Sequence, residues 1–133
     1  MTALAGDRRG ATAVEFALLA PIFLGMLFTI VEGSRMLWIK QSINEVAFST
    51  ARCASVSGDC ETVATQKSYA VARARTYGQT IGTADVVPLV NTTCNATAGM
   101  VKVTIATRFD SPVAGLIPGV PAVIEGVGCY PAM

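Results

Sequence analysis

Gly10-Ala11-Thr12-Ala13-Val14-Glu15-Phe16 opens an apolar run that extends to Val31, and the reading of this stretch decides the fold. From Ala11 to Val31 the one ionisable side chain is Glu15. At 1.5 Å per helical residue the segment is about 31 Å long, enough to cross the hydrocarbon core of a bilayer. The stretch therefore predicts a membrane-inserted helix.

Two plainer readings compete. Arg8 and Arg9 before an apolar run, with small-residue spacing at Val31-Glu32-Gly33, also fit a cleavable secretory signal, although such cores are usually shorter and have no use for Glu15. An ordinary signal-anchor helix would span the membrane and hold an external domain, again leaving Glu15 without a purpose. Arg8-Arg9 could open a twin-arginine signal, but the residues after them are not its usual apolar continuation.

A carboxylate near the end of a spanning helix costs on the order of a few kcal/mol and persists with a partner or a task. Cleavage of the Gly10–Ala11 bond would create an amino group at Ala11, four residues before Glu15 and on the same helical face. The amino group of a neighbouring copy could serve equally. Glu32, at the far end of the run, is expected to reach water.

A cut after Gly, Glu at the fifth mature position and a hydrophobic helix together resemble the processing signal of type IV pilin-like proteins. Further along, Ala13-Val14-Glu15-Phe16-Ala17-Leu18, Pro21, Glu32-Gly33-Ser34-Arg35 and Ala51-Arg52 resemble the TadE-like family of minor pseudopilins from tight-adherence (Flp, type IVc) pilus systems. The apolar Pro/Gly segment from Pro112 to Gly119, followed by a last strand, is similar in style. Flp-type major pilins are much shorter chains. The resemblance implies a prepilin peptidase, an inner-membrane secretion platform, other minor pseudopilins and the major Flp pilin as partners. It also implies a single-pass protein of the bacterial inner membrane, able to enter a surface pilus.

The 133 residues, 14% of them charged, allow one small domain beside a membrane helix. Net charge is +1, and removing Met1 to Gly10 takes away Asp7, Arg8 and Arg9, leaving acidic and basic residues equal in number. A neutral chain makes no electrostatic case for nucleic acid. The leader arginines favour a cytoplasmic N-terminus and an exported C-terminal part. All four cysteines, Cys53, Cys60, Cys94 and Cys129, lie beyond the apolar run, and an even number in a small exported domain reads as two disulfides. Of three possible connectivities we favour Cys53–Cys60 as a local clasp and Cys94–Cys129 as a tie between strands. Zinc is the alternative, but the sequence has neither a CxxC pair nor histidine.

The expected organisation is a leader over 1–10, the transmembrane part of a long helix over 11–33 and an exported head over 34–133. Met36, Ile39, Ile43, Val46, Ala47, Thr50 and Ala54 recur at helical steps, with Arg35, Lys40, Gln41, Asn44, Glu45 and Arg52 between them, so the helix continues amphipathically to about Ser55. Pro21 and Gly25 can loosen its first half without ending it. Trp38 is either an interfacial anchor or a residue packed against the head. Ser57-Gly58-Asp59 predicts a turn, then a second helix from about Glu61 to Tyr77 with Val63, Ala70, Ala74 and Tyr77 on its core stripe, Arg73 and Arg75 on a solvated face, and Gly78 as its stop. It should pack on the amphipathic half of the first.

Strands follow: Asp85 to Val90 with Pro88 marking an edge, Met100 to Phe109 by its alternation, and a weaker one from Ala122 to Cys129. Asn91-Thr92-Thr93 and Asn95-Ala96-Thr97 match glycosylation acceptors but read better as the loop between two strands. The expected class is α+β and pilin-like: a long N-terminal helix, a second helix and a small antiparallel sheet. No histidine, acidic pair or phosphate loop stands at a useful spacing, and Asp110-Ser111 reads as a turn, so neither an enzyme nor a cofactor is expected. A minor pseudopilin is the leading reading, with a surface or tip adhesin and an uncleaved membrane-anchored periplasmic protein as alternatives.

Overall fold

A computed structural model describes residues 9–112 and 119–133. Helix α1 (Arg9–Val56) leads through a short 3-10 turn (Gly58–Cys60) to α2 (Val63–Thr76), then a second 3-10 turn (Thr83–Asp85) and strands β1 (Val86–Cys94), β2 (Thr97–Arg108) and β3 (Val123–Pro131). The sheet is antiparallel with order β1-β2-β3. The α+β class is the expected one. The chain divides into two units, one ending at Arg35 and the other running from Met36 to Met133.

In the first unit every large apolar side chain from Val14 to Val31 is exposed around the whole helix. A helix apolar all round seeks an apolar environment outside itself. Two hydroxyls of this unit bond within the helix, that of Thr29 to the Gly25 carbonyl and that of Ser34 to the Ile30 carbonyl, both at 2.8 Å. Pro21 lies inside α1 and supplies no N–H to its ladder.

The second unit has a conventional core. Ile43, Val46, Ala47, Thr50 and Ala51 are fully buried at three- and four-residue steps. The four apolar ones share one cluster with Ala70 and Ala74 of α2, Ile81, Val86 of β1, and Val101, Val103 and Ile105 of β2. Alternation in the middle of β2 buries Val101, Val103 and Ile105, as strand geometry requires.

Local chemistry sets the bounds of α2. Thr62 and Thr65 form a capping box, each side chain accepting from the other's backbone N–H at 3.2 and 3.1 Å. Gly78 (φ 73°) closes it: its N–H reaches the Arg75 carbonyl and that of Gln79 reaches Ala74, both at 3.0 Å, a Schellman ending.

Several expectations are corrected. β1 does not stop at Val90: Asn91-Thr92-Thr93 are strand, with irregular register between Leu89, Thr92 and Cys94, and Asn91 at φ 56° absorbs the irregularity. The turn is reduced to Asn95-Ala96, both at positive φ, between the paired residues Cys94 and Thr97. Val63 is 53% exposed and Gln66 is buried instead, because its Nε2 donates to the Cys60 carbonyl at 2.9 Å. Trp38 is 61% exposed and is no packing residue of the head. α1 begins at Arg9, ahead of the expected Ala11. The leader up to Arg8 and the apolar segment 113–118 lie outside the described residues.

Candidate functional site

Gly10, Ala11 and Glu15 occupy the first turns of α1, all exposed, with Glu15 one turn beyond Ala11. A Cβ at Gly10 would meet nothing within 4 Å, and the residue is not at positive φ. Glycine in a helix costs roughly 0.5–1 kcal/mol relative to alanine. Among the described residues the fold supplies no steric or conformational reason for glycine here. Glu15 makes no ion pair among the described residues.

At the other end of the apolar run, Glu32 accepts from Arg35 Nη1 at 3.3 Å. Its side chain is only 14% exposed, and Oε2 has no hydrogen-bond partner among the described residues.

The head's defining geometry is the seating of α1 on β3. Ile124, Gly126 and Gly128 face inward, and the two glycines admit the helix backbone itself. A Cβ on Gly126 would lie 2.8 Å from the Ile43 carbonyl carbon and 2.9 Å from Asn44 N; on Gly128 it would run into the backbone of Ala47 and Phe48, closer still. Alternate residues of β3 turn their backbone groups away from β2, and α1 side chains meet them. Lys40 Nζ donates to the Glu125 carbonyl, the Val127 N–H donates to Asn44 Oδ1 at 3.2 Å, and Ser55 Oγ donates to the Pro131 carbonyl. Four helical residues rise about 6 Å and two strand residues about 6.6 Å, so Lys40 and Asn44 fall into step with Glu125 and Val127. Phe48 adds an edge-to-face contact with Tyr130, centroids 6.0 Å apart.

Two disulfides tie down the ends of this arrangement. Cys53–Cys60 joins the last turns of α1 to the 3-10 turn, Cα atoms 5.6 Å apart, and Cys94–Cys129 joins β1 to β3, Cα atoms 6.4 Å apart. Arg73, assigned by its sequence setting to the solvated face, is half-buried. Its guanidinium lies over the Tyr77 ring at 5.5 Å, and its Nε is buried. Arg75 stays exposed. Among the described residues no three His, Cys, Asp or Glu side chains are grouped to hold a metal ion.

The β3 contacts escaped the sequence reading. Gly126-Val127-Gly128 weakened the strand signal, since glycine is poor in strands, yet alternating glycines in a strand are also the mark of another backbone coming close.

Compared with known proteins, residues 10–52 match the family model for TadE-like protein. The match covers the apolar run, Gly10, Glu15 and most of the amphipathic half of α1, the stretch that carries the resemblance in sequence. No curated protein and no solved structure matches.

Proposed function

We propose that this chain is a minor pseudopilin that takes part in assembling a tight-adherence (Flp) type IV pilus and is processed by a prepilin peptidase after Gly10. The observation that carries the reading is the TadE-like match over 10–52, which spans the Gly10–Ala11 junction and Glu15 together. Among the described residues one helix is long and apolar enough to cross a membrane, and its apolar window is exposed. In this reading the N-terminus is cytoplasmic, the helix crosses the inner membrane and the disulfide-bonded head is exported. Its partners are the peptidase, the inner-membrane platform, other minor pseudopilins and the major pilin, and its role is structural rather than catalytic.

Gly10 supports the reading because neither space nor backbone conformation in the fold asks for it. A peptidase that requires a small residue before the cut would. The test is the N-terminal residue of the protein isolated from cells: Ala11 is expected, with Gly10→Val leaving the full-length form in the membrane. A mature protein beginning at Ser34 would make the apolar run an ordinary signal peptide and end the proposal.

A further inference from the structure

We infer that the base of the head is a lipid seat, in which Met36, Leu37, Pro121 and Val123 rest on the interfacial layer of a bilayer. This rests on the proposal that the apolar run spans that bilayer. The four residues line one groove, shared with Lys40, Ile124 and Glu125, and its walls are largely apolar. Leu37 is 65% exposed and Val123 48% exposed, while the Lys40 amino group is engaged by the Glu125 carbonyl. Trp38, the single tryptophan of the chain, stands next to Leu37 and is exposed as well.

The occupant follows from chain connectivity. Leu37 is six residues after Val31, where the apolar run ends, and along α1 six residues rise only about 9 Å. The headgroup layer on each side of a hydrocarbon core is itself about 5–8 Å thick. An exposed apolar groove kept that close to a bilayer meets lipid before any other partner, and a neighbouring tryptophan suits the same layer. The seat differs from a simple anchor because it enlists the start of β3, more than 80 residues later in the chain, in addition to the helix.

The single tryptophan makes the test direct. The full chain is reconstituted in phosphatidylcholine vesicles containing lipids brominated either high or low on the acyl chain. In a Trp38→Phe background one tryptophan is placed at Phe23, Pro121, Val123 or Val127. Val127 lies on the same face of β3 as Val123, about 13 Å farther along. Tryptophan at 121 and at 123 should be quenched by the upper bromines and at least threefold less accessible to acrylamide than tryptophan at 127. Deep quenching at Phe23 reports insertion. If Phe23→Trp is quenched deeply while 121 and 123 are as open to acrylamide as 127, the seat is wrong and the membrane reading stands. If Phe23→Trp is not quenched by lipid, both fall. Two positions are used so that a misfolded variant, recognised by free thiols, does not decide the matter.

Discussion

Gly128→Ala sets local propensity against tertiary geometry. Judged as a strand residue, glycine is a weak choice, and alanine should gain roughly 0.5–1 kcal/mol from a stiffer unfolded chain. Judged from the structure the sign reverses. The new Cβ would collide with the backbone of Ala47 and Phe48, atoms that no rotamer change can move aside. Relief requires α1 to lift from β3, which thins the contacts of Ala47 and Ala51 with the core and lengthens the bond between Val127 N–H and Asn44. Overpacking a well-filled interior costs about 1–3 kcal/mol, and backbone against backbone belongs at the upper end. For a head of this size 3 kcal/mol lowers the midpoint by about 12–24 °C. The assay is thermal unfolding of the full chain in detergent, followed by near-ultraviolet circular dichroism from the aromatic residues of the head. Gly33→Ala is the control: nothing stands within 4 Å of its added Cβ, so it should melt at or slightly above the parent. A Gly128→Ala protein melting within 3 °C of the parent would refute the direct seating of helix on strand.

Glu15→Gln and Glu15→Ala should still insert and still be cut after Gly10, since neither makes the helix less apolar, but should lose co-purification with partner pilin subunits. Normal piliation with either variant would reduce Glu15 to a tolerated charge. The two disulfides should differ in worth. By loop-closure entropy, sequence separations of 7 and 35 correspond to about 2.5 kcal/mol for Cys53–Cys60 and about 4 kcal/mol for Cys94–Cys129. Urea unfolding of the paired Cys→Ala variants checks that order, and the reverse order would contradict it. Thr62→Ala removes one half of the α2 capping box and should cost about 1 kcal/mol in the same urea assay; an unchanged midpoint would show the cap to be idle.

Periodic burial is what made the chain readable. Ile43, Val46, Ala47 and Thr50 face the core because the helical repeat puts them there, and Val101, Val103 and Ile105 because the strand repeat does. What escaped lies where a single partner overrides the pattern. Gln66 is buried in place of Val63 because the Cys60 carbonyl needs a donor, a contact six residues away that no stripe encodes. Asn91 reads as a turn residue and does take positive φ, but it spends that freedom on a bulge inside β1. Glycines 126 and 128 carry no side chain to register, so their role is visible only once the helix lies against them. Gly10 and Glu15 are the opposite case: legible in the sequence, and meeting nothing among the described residues that would explain them.

The contacts of Lys40, Asn44 and Ser55 along β3 also bear on self-association. A chain confined to a surface meets copies of itself far more often than one free in solution, and a bare strand flank is an invitation to stack into cross-β aggregates. Here one flank is already taken by the chain's own helix. The other, β1, is roughened by Pro88, which offers no N–H, and by the bulge at Asn91. A head with one strand flank occupied and the other interrupted offers a second copy little regular ladder to extend.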